Sequence, residues 1–385
     1  MINITNKDEC CGCSACVQIC PKQCISFNED LQGFRYPSID ADICINCGLC
    51  SKVCPFFNHG RQNVHMGVFA AVNSDDEIRI RSSSGGLFSL LAQQIIIEGG
   101  IVFGARFDEN WEVKHDWAET IEQIAMFRGS KYVQSRIEGC YKTVQSFLNE
   151  GRTVLFSGTP CQILGLKNFL IKEYDNLITV GIVCHGVPSP LIWRDYLKTI
   201  KGQNRIKTIS TRYKDTSWRN YKYCIVGINN NVLVNESSSK NIYHKIFLNN
   251  LSIRPSCFNC PAKGGYSRCD IILGDCWGIE HFFPDIDDDK GISCVICESQ
   301  KGMDYIHRLN CSFWELRYDD YKKYNSCIED STKRPIHYFD FWDQYIRDGF
   351  PTLKKYSTDN KSIICRLLDK FKSYENRCNN ILGGK

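Results

Sequence analysis

Cys10, Cys13, Cys16 and Cys20, followed by Pro21, spell C-x2-C-x2-C-x3-C-P, and Cys44, Cys47, Cys50 and Cys54, followed by Pro55, spell it again. No other feature restricts the folding of this chain so tightly, because thiols this dense must turn about a common centre. The run is the ligand pattern of 4Fe-4S clusters: three cysteines of a copy lie on one loop, and the fourth starts a helix aimed at the other cluster. Cluster one then takes Cys10, Cys13, Cys16 and Cys54, and cluster two takes Cys44, Cys47, Cys50 and Cys20. Gly12 and Gly48 relieve crowding where backbone wraps an inorganic core. Zinc sites commonly pair two C-x2-C units instead of running four cysteines together, which argues against zinc here. Cys11 and Cys24 fall outside the spacing and read as small buried side chains beside the clusters. Phe34-Arg35-Tyr36-Pro37 reads as a short strand and turn between the two halves.

The chain has 24 cysteines in 385 residues, too long a chain to need a disulfide scaffold. Metal sites in a reducing compartment account for them better. Residues 1–9 lack the pattern of a secretory signal, and the apolar run Ile95-Ile96-Ile97 is far short of a membrane span, so a cytoplasmic location with no transmembrane segment is expected. Lys+Arg 47 against Asp+Glu 43 is too even to point to nucleic acid.

From Val68 onward, strand-like and helix-like stretches alternate. Strands are expected at Val68–Val72, Ile101–Phe107, Val154–Phe156 and Leu177–Val183. Helices are expected near Ser84–Glu98, Ile137–Asn149, Gln162–Ile171 and Pro188–Ile200, and more β character over Ile206–Val234. The fold class that follows is α+β to α/β: a small dicluster module, then a larger mixed α/β domain. The divisions drawn are 1–62 for the dicluster module, 63–150 and 151–345 for the two parts of the larger domain, and 346–385 for a helical tail. Ser362–Ile381 has helical spacing, with Arg366, Lys370, Lys372 and Arg377 opposite its apolar side. The acidic run at 285–289 reads as a solvated loop.

Gly158-Thr159-Pro160-Cys161-Gln162, Val183-Cys184-His185-Gly186-Val187-Pro188, Pro255-Ser256-Cys257-Phe258-Asn259-Cys260 and Asp270 to Gly278 follow one another in order. With these segments the chain closely resembles the beta subunits of coenzyme F-420 (deazaflavin) hydrogenases and dehydrogenases from about Met66 to Gly302, and before them a bacterial-type ferredoxin. The resemblance implies a flavoprotein that binds FAD and a third 4Fe-4S cluster and exchanges hydride equivalents for single electrons.

Read on their own, Cys257 and Cys260 form a C-x2-C, Cys161 opens a helix, and Cys184 closes an apolar strand. Strand ends and helix starts are where an α/β sheet places ligands. These four cysteines suit zinc or iron–sulfur alike, and the resemblance favours iron–sulfur. Ser83, Ser84, Gly85 and Gly86 precede an apolar helix whose start suits pyrophosphate, or else form a serine-rich cap. A large side chain at Gly85 is then expected to exclude the flavin. Ser130, Lys131 and Tyr132 lie in a cationic, aromatic segment that the resemblance puts at the flavin, and Thr159 belongs to the same candidate set. Asp275 is either a hydrogen-bond partner for a ribose or ring edge or a buried structural carboxylate, and Trp277 is a pocket wall or core. Cys294 and Cys297 face opposite sides of a strand and read as core. His185 is either a proton donor beside the flavin or a backbone hydrogen-bonding group.

The function expected is an FAD-dependent iron–sulfur oxidoreductase, whose partner is a redox protein or a small-molecule hydride donor or acceptor. The alternative is a non-catalytic electron-transfer subunit docked on a catalytic partner.

Overall fold

The strands form where short apolar, β-branched runs are bounded by turns. The computed structural model describes residues 2, 4–60, 62–201 and 205–357. Its strands are β1 (Ile25–Glu29), β2 (Arg35–Ile39), β3 (Gly67–Val72), β4 (Ile101–Phe107), β5 (Val113–Ala118), β6 (Val154–Gly158) and β7 (Leu177–Ile182). They continue with β8 (Ile206–Tyr213), β9 (Lys222–Gly227), β10 (Val232–Ser237), β11 (Ile271–Asp275), β12 (Ser293–Cys297) and β13 (Ser312–Glu315). An eight-stranded sheet runs β13-β3-β12-β11-β7-β6-β4-β5. Its centre, β11-β7-β6-β4, is parallel, and the flanking pairs are antiparallel. Every residue of β6 and of β12 is buried, as expected for strands covered on both faces. Cys294 packs into one apolar layer and Cys297 into the other.

β4 and β5 lie before residue 150 and β6 after it, yet all three share this sheet. The β-rich middle folds separately as the antiparallel sheet β10-β9-β8. The helix expected from Ser84 begins only at Leu87. Gly85 N donates to Ser293 Oγ at 3.0 Å and Ser84 Oγ to Ile292 O at 2.6 Å, which ties this segment to β12 before the helix can start. The helix Tyr338–Asp348 runs across the division drawn at residue 346. The tail helix read at Ser362–Ile381 lies outside the described residues. The acidic run is more than a solvated loop: Asp288 takes both Arg79 Nη1 (2.8 Å) and Nη2 (2.6 Å), and Asp287 and Asp289 pair with Arg219.

The dicluster module is keyed into the larger domain. β1 and β2 form a hairpin whose turn is held by Asp30, which accepts from Gln32 N and Phe34 N. The Phe34 ring beyond it is fully buried and meets Trp342 edge-on at 6.4 Å, within the layer that contains Trp193 and Tyr243.

Candidate functional site: three sets of cysteines

In the module, Cys20, Cys44, Cys47 and Cys50 border one cavity of about 350 Å³, with Cys24 on its wall. Ile2 N donates to Cys50 Sγ at 3.2 Å, and Cys24 Sγ lies 3.4 Å from Cys20 Sγ. In the other set, burial and then the neighbouring Cys10 and Cys54 sulfurs push the Cys16 thiol up. Burial raises Cys13 and Cys54 as well, and thiols raised this way ionise more readily around bound cations, which is the chemistry a cluster supplies. Both sets fit 4Fe-4S clusters in donor type and arrangement.

β6 and β7 are parallel, so their C-terminal ends emerge at one edge of the sheet. Thr159 and Cys161 follow β6, where Pro160 starts the helix Pro160–Leu170, and Cys184 follows β7. Cys257 sits on the short turn Pro255–Asn259, and Cys260 follows it. All four cysteines line a single cavity of about 450 Å³, together with Cys11, Thr159, His185, Arg254 and Lys263. Burial pushes Cys184 and Cys260 up to about 12 and Cys257 well above its ordinary value. Among the described residues no three His, Cys, Asp or Glu side chains converge as one metal ion requires; the four thiols are soft donors of the kind that zinc and iron–sulfur clusters both take.

Cys11 joins this cavity to the set of Cys10, Cys13, Cys16 and Cys54. Its thiol is close enough to those of Cys13 on one side and Cys161 on the other to influence their ionisation. Gly165, on the helix that Cys161 opens, packs so closely on the module that a Cβ there would lie 2.9 Å from Cys13 Sγ.

Of the flavin candidates, Ser83, Ser84, Ser130 and Asp275 meet around the ends of β11 and β8. Ser83 Oγ bonds Ser130 Oγ at 3.0 Å and accepts from Ser130 N at 2.7 Å, and Thr211 Oγ1 donates to Ser130 O at 2.5 Å. Tyr132 O accepts from Tyr243 Oη at 2.6 Å, and the Tyr132 ring lies 5.5 Å from that of His244. Others of the set are already engaged. Lys131 Nζ donates to the carbonyls of Met126, Arg128 and Gly129 at 3.1, 3.0 and 2.9 Å, and burial, reinforced by Arg128, lowers it to about 7. Asp275 takes Arg212 Nη1 at 2.6 Å and Trp218 Nε1 at 3.0 Å, and Trp277 stacks on Trp218 at 4.5 Å. A Cβ on Gly85 would lie 2.5 Å from Ala71 O and 2.6 Å from Ser293 N. A large residue there would therefore disturb the sheet before any ligand. His185 and Thr159 lie at the four-cysteine cavity, apart from the serines. His185 Nε2 meets Asn250 Oδ1 at 2.6 Å, and burial lowers its pKa.

Sequence reading passed over Arg254, Lys263 and the role of Cys11. Lys263 Nζ donates to Cys184 O at 2.6 Å and to Cys327 O. A single basic residue beside a C-x2-C gives no pattern to detect, and Cys11 differs from its neighbours only by lying off the repeat.

Residues 9–58 match the 4Fe-4S dicluster domain family model. Residues 151–313 match the family model for the C terminus of the coenzyme F-420 hydrogenase/dehydrogenase beta subunit. The site and these matches define an iron–sulfur protein of oxidoreductase type. More particularly, the chain joins a 4Fe-4S dicluster domain to a domain of the F-420 hydrogenase/dehydrogenase beta-subunit family. A chain of the F-420-reducing nickel–iron hydrogenase complex from Methanosarcina barkeri is similar over 77% of this chain and 92% of that one, at 18% identity and a TM-score of 0.44. No curated protein matches. No helix among the described residues is long and apolar enough to cross a membrane.

Proposed function

We propose that the chain carries single electrons between the two module clusters and a third 4Fe-4S cluster held by Cys161, Cys184, Cys257 and Cys260, and that FAD beside Ser83, Ser84, Ser130 and Tyr132 links them to a hydride donor or acceptor. The observation that carries this reading is the meeting of those four cysteines, from three distant segments, in one cavity that Cys11 connects to Cys13. When bound, FAD supplies the exchange between a hydride and single electrons. The protein's own part is to hold its groups in place. With FAD bound, the helix start at Leu87 and the paired Ser83 and Ser130 hydroxyls would hold its phosphates, and the half-buried Tyr132 ring would provide an apolar wall. Lys263 fixes the turn after Cys184 through its carbonyl.

The internal engagement of Lys131 and Asp275 favours a second reading, a relay without a flavin that docks on a redox partner. Protein reconstituted anaerobically with iron, sulfide and FAD separates the two. The flavoprotein reading expects FAD to stay bound through gel filtration, and NADH or reduced deazaflavin then to bleach the cluster absorbance. Cluster-loaded protein that retains no FAD, yet is reduced by dithionite, would leave the relay.

A further inference from the structure

Three arginines are buried among the described residues: Arg79, Arg212 and Arg254. Arg79 pairs with Asp288 and Arg212 with Asp275, as a buried guanidinium ordinarily requires. Arg254, the most buried of them at 1% exposure, has no carboxylate partner. Its Nε donates to Cys10 O at 2.6 Å, Nη1 to Gln134 Oε1 at 3.0 Å, and Nη2 to Arg35 O at 2.9 Å and Cys10 Sγ at 3.5 Å. The Tyr36 ring lies 4.3 Å from the guanidinium carbon. After the Tyr36 phenol, the groups that act to keep it charged are the sulfurs of Cys10, Cys11 and Cys257. The same side chain lines the four-cysteine cavity.

We infer that Arg254 is the shared counter-ion of cluster one and of an anionic cluster in the Cys161, Cys184, Cys257 and Cys260 cavity, and that it sets the reduction potential of both. The inference rests on the third cluster proposed above. Four thiolates give a 4Fe-4S centre a net negative charge, and each electron added makes it more negative. A fixed cation in contact therefore stabilises the reduced form and raises the potential, strongly so in a site shielded from water. Cluster two, in its separate cavity, has no such contact and serves as an internal reference.

The test is a dithionite titration of the fully loaded chain followed by electron paramagnetic resonance, in native, Arg254→Gln and Arg254→Lys proteins. With Gln, two clusters shift to more negative potential while cluster two stays at its native value. With Lys, which keeps the charge but cannot reproduce the three-way fork, the potentials remain near native. If Arg254→Gln fails to take up clusters, assembly by Arg254→Lys still supports a requirement for charge. Gln and Lys proteins that behave alike, in potential or in failure to assemble, or a shift common to all three clusters, would overturn the inference in favour of a purely structural anchor. Iron content keeps the two proposals apart. Native protein with about eight irons per chain removes the third cluster, whereas about twelve with unshifted potentials removes only the role of Arg254.

Discussion

His115 illustrates how single residues couple this fold to pH. It lies on β5, buried, with Nε2 against Ser157 O at 3.0 Å, Nδ1 without a partner and its ring stacked on Phe156. Burial lowers its pKa from 6.5 to about 4, and the Lys131 charge acts in the same direction. The unfolded chain therefore binds the extra proton first as pH falls. The contribution of neutral His115 is whole above about pH 6.5 and is lost as pH drops toward 4, by up to ~3 kcal/mol. His244, between Tyr221 and Tyr223, is lowered the same way. The prediction is that His115→Gln, compared with native protein at each pH under anaerobic conditions, removes much of the stability loss between pH 6.5 and 4. An identical acid limb in both proteins would contradict it. At this scale the eight candidate cysteines of the module stood out, because their spacing is itself the signal, as the dicluster match over residues 9–58 reflects. Arg254 did not, because its meaning comes from its bonds to Cys10, Arg35 and Gln134, far away in sequence.

At the level of elements, the central parallel strands were readable from continuous apolar runs such as Val154-Leu155-Phe156. β5 was not singled out, since its run Val113-Lys114-His115-Asp116-Trp117-Ala118 carries charges that face out at the sheet's edge. The late start of the Leu87 helix was equally hidden, because it depends on bonds to β12. The hairpin of β1 and β2 was read as a spacer within the module, yet it places Phe34 in the core of the larger domain. Phe34→Ala should therefore cost ~3–5 kcal/mol, the range for emptying a buried aromatic site. It should also expose the link between residues 54 and 66 to protease, which limited proteolysis would detect. A loss below ~1 kcal/mol would mean that the module does not depend on that key.

For the whole molecule, the two cysteine-rich regions look independent in sequence, separated by more than a hundred residues between Cys54 and Cys161. Folding brings them together through Arg254, Gln134 and the Cys13–Cys11–Cys161 chain of thiols. Gly12 belongs to that junction: its φ is +71°, and a Cβ there would lie 2.8 Å from Gln134 Nε2. The large sheet supplies the remaining geometry by releasing Cys161 and Cys184 from neighbouring parallel strands. The third cluster proposed for this junction is decided by iron and acid-labile sulfide per chain. Anaerobically purified native protein should contain about twelve irons, and Cys257→Ser about eight with the module's clusters intact, since the sets share no ligand. Native protein with about eight irons and one zinc, or a Cys257→Ser protein with unchanged iron, would contradict it.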